Sequence, residues 1–223
     1  FCSLGGGRMR GNMTMVEIID NAVQLAVLTG CCMYTAALYM RKQEQVWFLL
    51  TCFYGVFALG LAYWLLFIVF YAKSPKISPV SDLSWLAGVL FLLVLQNAMR
   101  LPEEERYRPF LPWVAPAFSV VMCLFFFRWG DYILNILWAV LMGACGYSAL
   151  RGWLFACRQS GEKRDHRYFH IAVLAFILVE YCLWLASCYG EGNSLSDPYY
   201  WFDFLLTAVL FILLPALKKA VGE

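Results

Sequence analysis

Seven apolar blocks, at about 17–40, 46–71, 83–99, 110–127, 131–156, 168–189 and 198–217, divide this chain, and most of its charges fall outside them. A bilayer core is about 30 Å thick and a helix rises about 1.5 Å per residue, so about 20 apolar residues cross it. Five blocks are long enough outright. The third and fourth are shorter, and cross only upright or by lengthening into their flanks. Composition agrees: 62% of residues are hydrophobic and 14% charged, with mean hydropathy +0.66. Soluble domains carry about 45–50% apolar and about 25% charged residues. Continuous apolar runs exclude a strand barrel, whose signature is short alternating segments. The first block is too long for a signal-peptide core and lacks a small-x-small exit. The expected fold is all-α, a polytopic membrane protein with seven transmembrane helices.

Two stretches 113 positions apart then say nearly the same thing. Residues 26–36 read AVLTGCCMYTA and residues 139–149 read AVLMGACGYSA, identical at seven of eleven positions, with Thr35 opposite Ser148. Tyr63 and Tyr71 are eight apart, as are Tyr181 and Tyr189; each pair is followed by a Ser-Asp, a Trp and an apolar run. The chain therefore divides into a lead at 1–16, expected to be poorly ordered; repeat 1 at 17–99, spans 1–3; a linker span at 110–127; repeat 2 at 131–217, spans 5–7; and a tail at 218–223. Three spans plus one linker keep both copies in the same orientation, related by an axis along the membrane normal. Gly30 and Gly143 match in the repeat, and small residues let membrane helices approach closely. They are expected to form the central contact between the copies, with Gly143 more sensitive to enlargement than Gly152.

This 3+1+3 plan resembles the PQ-loop and SWEET transporters, whose sites lie between the copies near the midplane. The tract FYAKSPKISPVSDLSWLAGVLFLL, an aromatic helix end followed by a Pro-rich link and a Ser-Asp/Trp opening, resembles the seven-helix sensor regions of bacterial signalling proteins. It is also similar to uncharacterised bacterial seven-helix membrane proteins. Spans 1, 2, 5 and 6 contain no Pro, and the chain has no Pro-Gln pair.

Twelve basic residues fall on the side of links 41–45, 100–109, 157–167 and the C-terminus, and five on the other side. The positive-inside rule then puts the N-terminus outside and the C-terminus in the cytoplasm, and the resemblance to bacterial proteins implies a plasma membrane, the bacterial inner membrane. The basic residues are scattered and no RNA or DNA motif is present, so nucleic acid is not an expected partner. Nine cysteines lie mostly within spans and do not read as a disulfide framework. Only Cys2, Cys188 and Cys123 could reach an oxidising outer face. The triplet Asn12-Met13-Thr14 reads as a chance glycosylation motif.

Glu180 is the sharpest site candidate, because a carboxylate inside a span is costly unless it faces a cavity, pairs or is protonated. Trp184 follows at i+4 on the same face. Tyr63 and Tyr181 could complete an aromatic-acid box for a cationic group. Gln24 and Asn135 lie deep enough to contact a ligand or to bond across helices. Asp20 and Asp131 sit near helix N-termini, where the dipole favours negative charge. His166 and His170, spaced i, i+4, could present two metal ligands, but read better as a solvated interface. The run Glu103-Glu104-Glu105-Arg106 has the wrong spacing for an intramembrane protease. No catalytic centre, cofactor or metal is therefore expected.

The leading expectation is a receptor or sensor that binds a small amphipathic or cationic molecule in an outward-facing cavity, lined by Glu180, Tyr181, Trp184, Tyr63, Gln24 and Asn135. Besides the bilayer and that ligand, such a protein needs a cytoplasmic signalling partner. The alternative is a small-solute facilitator or proton-coupled transporter with Glu180 as coupling group. A membrane metallohydrolase using the His pair is a distant third.

Overall fold

A computed structural model describes residues 15–71, 78–189 and 197–222. Every element among them is helical: α1 (Met15–Lys42), α2 (Gln45–Tyr71), α3 (Pro79–Ala98), the single turn α4 (Pro102–Glu105), α5 (Val114–Phe126), α6 (Tyr132–Ala156), α7 (Glu162–Tyr189) and α8 (Pro198–Ala220). Seven are long and apolar enough to cross a bilayer, α5 because a 3-10 turn at each end extends it to Leu111–Trp129. The chain is thus a seven-helix membrane protein by architecture. The Asn12 triplet and most of the lead lie outside the described residues.

Local chemistry sets the helix starts. Pro79, Pro102 and Pro198 lie in the first turn of their helices, and Pro112 in the 3-10 turn before α5. A helix start leaves its first N–H groups unpaired, so the missing proline donor costs little there. Asp197 caps α8, its side chain accepting from the Tyr199 N–H at 3.0 Å. The turn between α5 and α6 uses two residues with positive φ, Gly130 at 88° and Asp131 at 52°. Asn135 closes it by donating from Nδ2 to the Gly130 carbonyl at 2.8 Å. The sixth span starts earlier than its apolar block, because the polar run EKRDHRY continues the α7 helix.

The helices pack in a closed order. α1 lies on α2, α2 on α3, α3 on α6, α6 on α7, α7 on α8, and α8 returns to α1. α5 is appended to α6. Rings fill the middle: Phe53 and Phe57 of α2 meet Phe176 of α7 edge to face, at 6.0 and 6.1 Å between centroids. Such pairs contribute about 0.5–1.5 kcal/mol each beyond their area. Tyr54, wholly buried, donates its hydroxyl to the Leu210 carbonyl of α8 at 2.8 Å. Large apolar side chains such as Phe70, Ile133 and Met15 are left exposed around the outside. A surface that apolar is stable against lipid, not water. Among the described residues seven cysteines are free thiols, whereas Cys188 is disulfide-bonded, a bond the sequence does not call for.

Two glycine expectations are overturned. A Cβ at Gly30 would meet nothing within 4 Å, so no neighbour is close there. Gly143 faces Pro116 and Ser119 of α5, at 3.2 and 3.4 Å, and not the other half of the chain. The close approach is at Gly152, where a Cβ would run into the His170 ring. His170 is only 4% exposed, so it is a packed core residue and not part of a solvated interface. In detergent melts, Gly152→Ala is expected to destabilise most, Gly143→Ala less, and Gly30→Ala to be neutral or to gain about 1 kcal/mol of helix propensity. Equal shifts at all three positions would contradict this packing.

Candidate functional site

One group of buried polar residues lies at the seam of α1, α7 and α8, towards the end that holds Met15 and Tyr189. Glu17, Asp20, Asn21 and Gln24 of α1, Glu180 of α7, and Asp203 and Thr207 of α8 are all under 9% exposed. Spacing puts them on one face of each helix: Glu17, Asp20 and Gln24 at i, i+3, i+7, and Asp203 and Thr207 at i, i+4. Asp20 and Asp203 each lie five residues inside their helices, about 8 Å along the axis.

One amide holds the seam together. Gln24 donates from Nε2 to Asp203 Oδ1 at 3.0 Å and to Thr207 Oγ1 at 3.1 Å. Both amide protons are thereby used. The Thr207 hydroxyl donates in turn to the Asp203 carbonyl at 3.2 Å. Such bonds between membrane helices are worth about 0.6–2 kcal/mol each. Asn21 donates to the Glu17 carbonyl at 2.7 Å.

Asp20 is less well served. Asp20 is 1% exposed, and neither of its side-chain oxygens has a hydrogen-bond partner among the described residues. The charges that bear on it are those of Asp203 and Glu17. Ionised carboxylates only accept, so Asp20 and Asp203 can bond each other only when one carries a proton. Glu180, 4% exposed, also faces the charge of Asp203. The sequence places no Lys, Arg or His between residues 16 and 40, 171 and 189, or 198 and 217. The ion pairs among the described residues, Arg100 and Arg151 with Glu104 and Lys163 with Glu103, lie at the opposite end of the bundle.

The structure brings Glu180 and Gln24 to this seam and turns the other candidates elsewhere. Tyr181 follows Glu180 about 100° around the helix. Its hydroxyl reaches Ser119 Oγ of α5 at 2.9 Å, and its ring packs on Phe118 at 5.2 Å. Trp184 stacks edge-on against Trp138 of α6 at 4.6 Å. Tyr63 pairs with Phe67 of its own helix at 6.3 Å. Asn135 serves the α5–α6 turn. Asp131 is the residue before α6, as expected, but Asp20 lies inside α1 and is no cap. His166 and His170 have no third ligand: among the described residues no group of three His, Cys, Asp or Glu could hold a metal.

Asp203 and Thr207 were not singled out from the sequence. The signal existed: an acid inside YYWFDFLLTAVLF is as anomalous as Glu180 in its span. The neighbouring aromatics mask it by reading as an interfacial belt.

No protein-family model matches the chain, and neither does a curated protein or a solved structure. The seam therefore rests on its own chemistry. Gln24→Leu is expected to lower stability by about 1–2 kcal/mol in detergent, since it removes two bonds between α1 and α8. Tyr63→Phe should leave the melting temperature unchanged. The reverse order would show that the seam does not hold the bundle.

Proposed function

We propose that the chain is a proton-coupled membrane facilitator for a small solute, with Asp20 and Glu180 as the groups that take up the proton. One observation carries this: Asp20 is buried beside the Asp203 carboxyl, with no hydrogen-bond donor for either oxygen among the described residues, in a stretch of helix without a basic residue. Carboxylates are retained inside membranes where they relay protons or bind cations, because their desolvation is otherwise uncompensated. Asp203 is close enough to share a proton with Asp20, and Gln24 transmits its position to both α1 and α8.

The helix order supports the parallel-repeat part of the proposal. Exchanging α1, α2 and α3 for α6, α7 and α8 maps the closed order onto itself, with α3–α6 and α8–α1 trading places. The proton site then lies at one of the two junctions between the copies, where relative movement would be greatest. Pro215 inside α8 removes one backbone hydrogen bond from that helix and gives it a place to bend. The orientation with the seam outward is supported by the excess of basic residues at the other end. A disulfide at Cys188 fits an oxidising outer face.

The second reading is a receptor or sensor for a small cationic or amphipathic ligand, signalling to a cytoplasmic partner. The packed rings of Phe53, Phe57 and Phe176 favour it, because they leave the middle of the bundle filled.

Proteoliposomes with a trapped pH dye separate the two. A small organic cation or neutral solute should drive proton entry through the wild type. Glu180→Gln and Asp20→Asn should abolish that entry while melting within about 1 kcal/mol of the wild type. A solute that raises the melting temperature without any flux would leave the receptor. Full proton-coupled flux in both variants would reject the site.

A further inference from the structure

At the basic end of the bundle a cavity of about 640 Å³ opens between the end of α3, the entry to α5 and the last turns of α6. Arg100, Arg108 and Arg151 line it, together with Trp113, Tyr147 and one carboxylate, Glu105. Gathering three guanidiniums is unfavourable without negative charge nearby. Two carboxylates, Glu104 and Glu105, stand against the three. Glu104, 5% exposed, accepts from Arg151 Nε at 3.3 Å and lies 3.9 Å from Arg100 Nε. One buried carboxylate thus serves two arginines.

Donors are left over. Arg151 is 9% exposed, yet among the described residues its Nη2 has no hydrogen-bond partner, and neither has Arg100 Nε. Arg100 Nη2 bonds Asn97 Oδ1 and, at 3.4 Å, Ser148 Oγ, both neutral groups. Burial, and after it the adjacent Arg151 charge, lowers the Arg100 guanidinium from its ordinary value, and Glu104 and Glu105 act in the opposite sense. Aromatic rings fix the arrangement: Trp113 meets Tyr147 edge to face at 5.2 Å, and Arg151 lies 5.8 Å from the Tyr147 ring. A guanidinium held in this way keeps its fork of donors pointed in one direction.

We infer that this cavity binds a phosphate group, held by Arg100, Arg108 and Arg151. A tetrahedral oxyanion can accept from several forks at once, which a single buried carboxylate such as Glu104 does not do for all three. Basic pockets between membrane helices take lipid phosphates in the same manner. Phe110, Leu111 and Val114 stand exposed next to the cavity and suit acyl chains. The phosphate of an anionic lipid is therefore the favoured source, and a soluble phosphate shares the same chemistry. The inference does not depend on the proton site, which lies at the other end of the helices.

The test uses the full chain in nanodiscs of phosphatidylcholine alone or doped with phosphatidic acid, and in detergent with inorganic phosphate against chloride at equal ionic strength. Melting temperature and lipid retained in native mass spectrometry are the readouts. Arg108→Gln is the first variant, since its exposed side chain can be neutralised without disturbing packing. Arg151→Lys is the second; it keeps the charge opposite Glu104 but loses the fork. Phosphatidic acid should bind and stabilise the wild type, and both variants should weaken it by about tenfold. Stabilisation by inorganic phosphate with the same sensitivity to both variants, and no preference between lipids, would support the site with a soluble ligand. Equal binding of both lipids and no response to phosphate, or full anion binding in both variants, would overturn it.

Discussion

Inside a bilayer no water is present to pair with a polar group, and that single condition organises this molecule. Backbone groups meet it by forming helices, which is why every described element is helical. Side chains must meet it one by one. Gln24 does so by spending both amide protons on α8, and Tyr54 by reaching the Leu210 carbonyl. Ser81 does so between α2 and α3, donating to the Gly60 carbonyl at 2.8 Å. Asp20 does not: among the described residues neither of its oxygens has a hydrogen-bond partner, and it is the one buried carboxylate of which this holds.

The two ends of the bundle carry opposite imbalances. Buried carboxylates gather at the α1–α7–α8 seam, and guanidiniums at the α3–α5–α6 end. Each imbalance is held by uncharged scaffolding: Gln24 and Thr207 at one end, Trp113 and Tyr147 at the other. Between them lies the aromatic packing of Phe53, Phe57 and Phe176, which couples α2 to α7 across the middle.

Much of the fold was legible because hydropathy and bilayer thickness act on the same length scale. All seven blocks became spans, and most bounds moved by a few residues. The largest shift, at the start of α7, came where helix hydrogen bonding continues through a polar sequence that hydropathy reads as a link. The site was legible only where a charge stood alone in an apolar run, as Glu180 does. Asp203 was hidden by neighbouring aromatics, and Asp20 by its nearness to a helix end. Tyr63, Tyr181, Trp184 and Asn135 show the limit of spacing arguments. Which helix a face meets is decided by tertiary packing, so Tyr181, one residue from Glu180, turns to α5. The Gly30–Gly143 match likewise marks a repeat in sequence without marking a contact, whereas the tight pair, Gly152 and His170, has no sequence signature.

The central claim is that the buried seam holds a carboxylic acid, with its proton, rather than only carboxylate ions. Infrared difference spectroscopy of the protein in lipid reads this directly through the carbonyl stretch of a protonated carboxyl group. The account predicts such a band at neutral pH, shifted by deuterium exchange and reduced in both Glu180→Gln and Asp20→Asn. A spectrum with no protonated-carboxyl band, or with one that neither substitution changes, would contradict it.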